Sequence, residues 1–311
     1  MTARSPVLVV GEALIDAVVK GGDVTAEHVG GSPANVAFGL GALGHDVTLA
    51  TWIGTDERGD RIAARCTAAG VRVAPGSTGA ERTSVAYATL DARGQASYRF
   101  DLTWAVPDIA DGAAFGHVHT GSIAATIEAG GSQVVDVVRR LRDQATVSYD
   151  PNMRPTLMGS PEAVRARVED LIALSDVVKA SDEDLQWLYP DVRLADVVRR
   201  WGSLGPALCV ITRGGDGAAY AVSSAPEAEV TTVAATPTTV VDTVGAGDSF
   251  MAGLLSGLLD AGYVGDSAAR ERLRRARADD LRACVDRAVA TSGITVGHAG
   301  AYAPTRAELD G

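Results

Sequence analysis

Short unbroken apolar runs punctuate this chain, and longer stretches between them repeat their apolar residues every three or four positions. Val7–Val10, Val47–Ile53, Val118–Thr120, Thr146–Tyr149, Asp176–Lys179 and Leu208–Thr212 read as strands buried on both faces. Leu14–Val19 is a further strand, broken by Gly21-Gly22. Ser32 as N-cap and Pro33 in the first turn open a helix that runs to about Leu43 and stops at Gly44. The spacing predicts further helices over Gly59–Ala69, Gln133–Arg142, Pro161–Leu174, Asp182–Leu188 and Leu194–Trp201. Gly217–Val222 and Val230–Val233 follow as strands, and two last helices span Gly247–Asp260 and about Ala268–Thr291.

Strands alternating with helices imply an α/β fold, a mostly parallel sheet with helices on both faces. Ligands of such sheets sit at the carboxyl ends of the strands. Residues 83–100 break the rhythm: Ser84–Leu90 and Ala96–Phe100 flank Asp91-Ala92-Arg93-Gly94, a hairpin turn signal. These strands read as a small β lid over that edge. No internal repeat or linker divides residues 1–311, so one domain is expected, with lid strands inserted at about 12–28 and 83–104.

Composition narrows the partners. Hydrophobic residues make up 46% of the chain, enough for a sizeable core. A net charge of −11 argues against nucleic acid or an acidic membrane as partner. The three cysteines, Cys66, Cys209 and Cys284, are far apart and odd in number, which fits a reduced, cytoplasmic protein. Neither a signal peptide nor a membrane-length apolar run is visible. Arg270–Arg277 reads as a solvated helix face, and His117 and His119 share a strand face without a third ligand nearby.

The chemistry concentrates in residues 242–253. There Gly245-Ala246-Gly247 turns into the carboxylate Asp248 and an apolar helix. Free N–H groups and the positive end of the dipole make such a helix start an anion site. A carboxylate in the same turn would repel phosphate, but it suits a base that accepts the proton of an attacking hydroxyl. The segment therefore proposes phosphoryl transfer.

Several motifs in order carry a resemblance: Asp242-Thr-Val-Gly-Ala-Gly-Asp248-Ser-Phe250, Gly30-Gly31-Ser32-Pro33-Ala34-Asn35, and Gly54-x-Asp56-x-x-Gly59. Over nearly its full length the chain resembles the PfkB, or ribokinase-like, family of sugar kinases. The resemblance implies a ribokinase-like three-layer sandwich with a β-sheet lid. It implies ATP and Mg²⁺ as cofactors, with K⁺ a further candidate, and Asp248 as base over an anion hole of Gly245, Ala246 and Gly247. Asp16, Gly30, Gly31 and Asn35 would meet the sugar, and Asp242 a monovalent cation. Ser181 and Asp184 stand where the family carries Asn and Glu near Mg²⁺. Thr212, Gly214 and Gly217 would lie against the nucleotide, with Asp286 in place of an adenine-side Asn.

Asp150-Pro151-Asn152-Met153-Arg154-Pro155 is similar to a segment of fructokinases and 2-keto-3-deoxygluconate kinases. Arg154 would contact phosphate or substrate, or pair with Asp150. Gly121, at a strand end, would line the sugar site. On the lid, Tyr98 and Arg99 point to opposite strand faces, so only one can face the pocket. Fructose is the first choice of substrate and 2-keto-3-deoxygluconate the alternative; a ribokinase, a nucleoside kinase or a non-catalytic sugar sensor stand behind them. A homodimer packed through the lids is expected.

Overall fold

The apolar runs pair side by side because each is buried on both faces and can satisfy its backbone only through neighbouring strands. The computed structural model describes residues 5–90, 96–110, 114–224 and 229–310. In chain order, the first part holds β1 (Val7–Val10), β2 (Leu14–Lys20), β3 (Asp23–Gly30), α1 (Ser32–Ala42), β4 (Val47–Ala50), α2 (Glu57–Ala68) and β5 (Val71–Val73). Then come β6 (Val85–Leu90), β7 (Ala96–Asp101), β8 (His117–Gly121), α3 (Gly130–Leu141), β9 (Thr146–Asp150), α4 (Pro155–Met158) and α5 (Pro161–Leu174). The remainder is β10 (Val177–Ser181), α6 (Asp182–Leu188), α7 (Leu194–Leu204), β11 (Leu208–Thr212), β12 (Ala218–Val222), β13 (Thr231–Val233), α8 (Ala246–Asp260), α9 (Ser267–Arg275), α10 (Ala278–Val296) and α11 (Arg306–Asp310).

Nine strands form the main sheet in the order β13-β12-β11-β10-β9-β8-β1-β4-β5. Only the β11–β12 and β12–β13 pairs are antiparallel. Alternation along each strand divides the core in two. Val7, Val9, Val177 and Val210 face α1, α8 and α10; Leu8, Val10, Val178 and Ile211 face α3, α5 and α7. The result is the three-layer α/β sandwich expected from the sequence. A second sheet, β3-β2-β6-β7, is the lid.

Several boundaries differ from the sequence reading for identifiable reasons. Gly31, not Ser32, is the N-cap of α1; its φ of 104° suits glycine, and Ser32 becomes the first helical residue. Asp56 caps α2 by accepting the Gly59 N–H, so the helix starts at Glu57, two residues ahead of Gly59. The strand expected over Val47–Ile53 leaves the sheet after Ala50, where Thr51 Oγ1 accepts the Ala13 N–H and Ile53 N–H turns to Ser77. The long final helix splits at Ala276 and Arg277, both extended, with Arg277 and Asp280 closing the new start. β3 falls within the lid range expected at about 12–28, without bounds of its own, and β5 carries no strand signal; pairing with β2 and β4 makes them strands. The hairpin turn placed at Asp91–Gly94 lies outside the described residues.

The lid is fastened at its base by Asp56. Its carboxylate accepts the N–H and hydroxyl of Thr83, just before β6, as well as the Gly59 N–H. Glu27 on β3 takes Arg58 and Arg61 of α2. Gly54 and Gly59 permit this joint: a Cβ on Gly54 would lie 2.8 Å from the Thr83 nitrogen, and one on Gly59 2.0 Å from the Gly54 oxygen.

Candidate active site

The first turn of α8 lies at the carboxyl edge of the main sheet. Gly245 starts it in the left-handed region (φ 74°), and a Cβ there would come within 2.6 Å of Ala301. Ala246 spends its N–H on the Thr243 carbonyl at 3.2 Å. The N–H groups of Gly247 and Asp248 have no acceptor among the described residues, as expected for a helix start. The donors left free to meet an anion at this turn are therefore those of Gly247 and Asp248, not that of Ala246. Asp248 is buried, and α1 fixes its carboxylate: Ser32 donates to Oδ1 at 2.7 Å and Asn35 Nδ2 to Oδ2 at 2.8 Å. One turn apart on α1, these two side chains lock the carboxylate at the mouth of the anion turn.

On the lid, Asp16 shares a face with Ala86 and Phe100, its partners across β6 and β7. A Cβ on Gly30 would lie 2.0 Å from Asp16 Oδ2, and one on Gly31 2.5 Å from the Glu12 carbonyl oxygen. The glycine pair is thus what lets β3 turn into α1 beside Asp16. Asp16 is solvent-exposed, yet the protein around it partly desolvates its carboxyl and pushes it up to about 6, although Arg154 and His28 pull it down. The charge of Asp248 also acts on it, which places the two carboxylates near one another.

A clamped carboxylate beside a helix start with free N–H groups, with a second carboxylate near it on the small sheet, is an arrangement that suits phosphoryl transfer to a hydroxyl. The family model described as "pfkB family carbohydrate kinase" matches residues 5–308. The chain belongs to the pfkB family of carbohydrate kinases. It is 33% identical over 267 residues to a fructokinase of Rhizobium leguminosarum bv. trifolii, covering 81% of this chain and 79% of that one. It is 32% identical over 272 residues to a fructokinase of Klebsiella pneumoniae, covering 84% and 87%. Among solved structures, the fructokinase of Xylella fastidiosa with bound ATP superposes with a TM-score of 0.82 at 24% identity, covering 99% of this chain and 97% of that one, a likeness of fold.

Other residues singled out in this pfkB kinase fall in different places. Arg154 does not pair with Asp150. Its guanidinium bonds within its own loop, to the Asn152 side chain at 2.6 Å and the Met153 carbonyl at 2.9 Å, and its charge acts on Asp16 and Glu12. Asp150 instead accepts Lys179 Nζ at 2.8 Å, both groups buried. Gly121 pairs with Asp150 across the β8–β9 register, and a Cβ on it would lie 2.1 Å from the Asp150 carbonyl oxygen. Arg99 belongs to the opposite lid face from Asp16: it sits across from Tyr87 and stacks over its ring at 4.1 Å. The expected approach of Arg99 to the sugar is therefore corrected. The Tyr98 side chain lies outside what the structure describes.

Asp184 is held by backbone groups. Its Oδ1 accepts the Met153 N–H at 2.7 Å and its Oδ2 the Ser181 N–H at 2.9 Å, while Ser181 Oγ accepts the Asp184 N–H. The pair is a capping box for α6 that also pins the loop after β9. Thr212 stands beside Ser181 in the β10–β11 register, and Gly214 and Gly217 (φ 49° and 81°) shape the turn after it. Asp242 accepts N–H groups from Val244 and Gly300, which tie the anion loop to the loop after α10 and lower its carboxyl. Asp286 bonds Arg282 one turn back on an exposed stretch of α10. It lies ten residues, about 15 Å of helix, before Val296, which touches Asp242.

Three residues escaped the sequence reading. Ser32 was taken for a cap. Lys179 closes an apolar strand and was read with it. Glu12, between Gly11 and Ala13, is buried against a cavity of about 50 Å³ walled by Trp52, Leu102, Trp104 and Ile123. Burial pushes its carboxyl up to about 7, against the Ala124 N–H it accepts at 3.1 Å. A lone charge inside an apolar run is the signal that marked the last two. His117 and His119 are absorbed by Thr146 and Ser148, and burial pushes both imidazoles down to about 3.

Proposed function

We propose that this chain is a fructokinase: it transfers the γ-phosphoryl group of ATP to a hydroxyl of fructose. The observation that carries the reading is the Asp248 carboxylate, clamped by Ser32 and Asn35 beside the free N–H groups of Gly247 and Asp248. The sugar hydroxyl attacks the γ-phosphorus, its proton passes to Asp248, and the bond from phosphorus to the ADP oxygen breaks. The anion turn holds the charge of the transferred group. Asp16, with Gly30, Gly31 and the amide oxygen of Asn35, orients the sugar hydroxyls, and Arg154 faces the same cleft. Thr212, Gly214 and Gly217 line the nucleotide side.

Mg²⁺ would supply charge neutralisation at the phosphates, and the residues that would hold it are carboxylates near the turn. Asp184 fits that ion poorly, because both its oxygens are spent on backbone N–H groups. Asp150 fits better: its Oδ1 is buried without a hydrogen-bond partner. Asp242 and the loop carbonyls around it are the candidate K⁺ site. A cytoplasmic location agrees with three buried free thiols. The half-exposed lid face around Val18, Ala26 and Ala88 is where a second copy would pack.

The alternative, 2-keto-3-deoxygluconate, carries a carboxylate. The cleft carries two carboxylates, Asp16 and Asp248; Arg99 points elsewhere, and the one cation assigned to it, Arg154, is already engaged by Asn152 and the Met153 carbonyl, so a neutral sugar is favoured. A substrate panel coupled to ADP release tests this. Fructose should lead the keto acid in kcat/KM; a reversed order overturns the substrate assignment. Asp248→Asn should bind sugar normally and lose about 10²–10⁴-fold in kcat. Near-normal turnover in that variant would sink the mechanism.

A further inference from the structure

The second glycine of the anion turn has a neighbour that no motif assigns. A Cβ built on Gly247 would lie 3.0 Å from Lys179 Nζ, so the ammonium sits directly against the backbone of the turn. Lys179 is the middle residue of β10 and is buried with Asp150, which accepts a hydrogen bond from its ammonium at 2.8 Å. An ammonium has three donors, and this is its one hydrogen bond among the described residues. Burial works against its charge, but Asp150, Asp184 and Asp248 together keep the ammonium protonated and raise its pKa.

We propose that Lys179 is a further catalytic residue of the phosphoryl transfer, donating to the oxygens of the transferred phosphoryl group alongside the Gly247 and Asp248 N–H groups. The proposal rests on the kinase reading above. Its geometry explains why residue 247 lacks a side chain: the anion turn presents backbone donors on one side and admits a cation from the sheet beneath. Asp150 orients the ammonium, and the phosphoryl oxygens engage its remaining donors. Charge that grows on those oxygens in the transition state then meets a fixed positive group in a site shielded from water. No proton leaves Lys179 in the step.

Two variants and one binding readout test this. In the wild type, fluoroaluminate added to ADP and Mg²⁺ mimics the transferred group and should raise the melting temperature beyond ADP and Mg²⁺ alone. In Lys179→Met, that extra rise should vanish while the ADP and fructose shifts persist, and kcat should fall about 10²–10³-fold with the fructose KM within threefold. Gly247→Ala keeps the lysine but puts a methyl against Nζ. It should lose most of the extra rise too, and it serves as the test if Lys179→Met does not fold. An extra rise retained in Lys179→Met, or all ligand shifts falling together, would show that the lysine only neutralises Asp150 and would overturn the proposal. So would a wild type with no extra rise. A wild type that shows the extra rise but phosphorylates no sugar would instead refute the fructokinase assignment and leave this one standing.

Discussion

Glu12→Gln should change how stability depends on pH, and the size follows from its burial. The carboxyl is 6% exposed and raised from 4.5 to about 7, chiefly by desolvation. A group raised in the folded state contributes stability that is fully present below its unfolded value and lost as pH rises through its folded value. The window for Glu12 is therefore pH 4.5 to 7. From pH 5 to pH 8 its ionisation should remove about 2.5 kcal/mol from the folded state. Glutamine keeps an oxygen for the Ala124 N–H and does not titrate. The ligand-free variant should thus gain on the wild type by that amount between the two pH values. At a urea slope of about 3 kcal/mol per molar, the gap between their midpoints widens by roughly 0.8 M. Asp16 and Asp150 titrate in both proteins and cancel in the difference. A gap that stays constant from pH 5 to pH 8 would show that Glu12 is not desolvated as the cavity implies.

Ser32→Ala removes one charge-assisted bond to Asp248, worth about 1.5–3 kcal/mol. If that bond orients the base, kcat should fall roughly 10- to 100-fold with the fructose KM within threefold, and steady-state kinetics would show an unchanged kcat if it does not. Arg99→Ala should leave the fructose KM within twofold, since Arg99 faces Tyr87 and not the cleft; a tenfold rise would place it in the site after all. Arg270 pairs with the buried Asp176 and also caps the carbonyls of Arg142 and Ala145. Arg270→Ala should cost about 3–5 kcal/mol by urea unfolding, because it strands a buried carboxylate, and a loss under 1 kcal/mol would contradict that pairing.

The layers and the anion turn were legible in the sequence because local rules produce them. Apolar runs of strand length, helix periods and glycines at the turn act within a few residues. β5 was not legible and β3 only as part of the lid range, since their partners make them strands. The choice of charge partners was hidden for the same reason. From the sequence, Asp150 has Arg154 four residues away, and that spacing invites an ion pair. In the fold, Tyr149 stands opposite Val178, which carries the next residues, Asp150 and Lys179, to one face of adjacent strands. Both side chains are almost fully buried there, and neither charge could stay buried without the other. Arg154, at the exposed end of the same loop, has water and its own carbonyls to satisfy it. Desolvation thus decides between two pairings that spacing alone leaves open, and it decides for the lysine 29 residues away. The same pressure separates Asp184 from Asp150. Asp184 spends its oxygens on two backbone N–H groups that would otherwise be orphaned at the start of α6 and in the loop after β9. Asp150, paired through one oxygen only, keeps its other oxygen buried without a partner among the described residues.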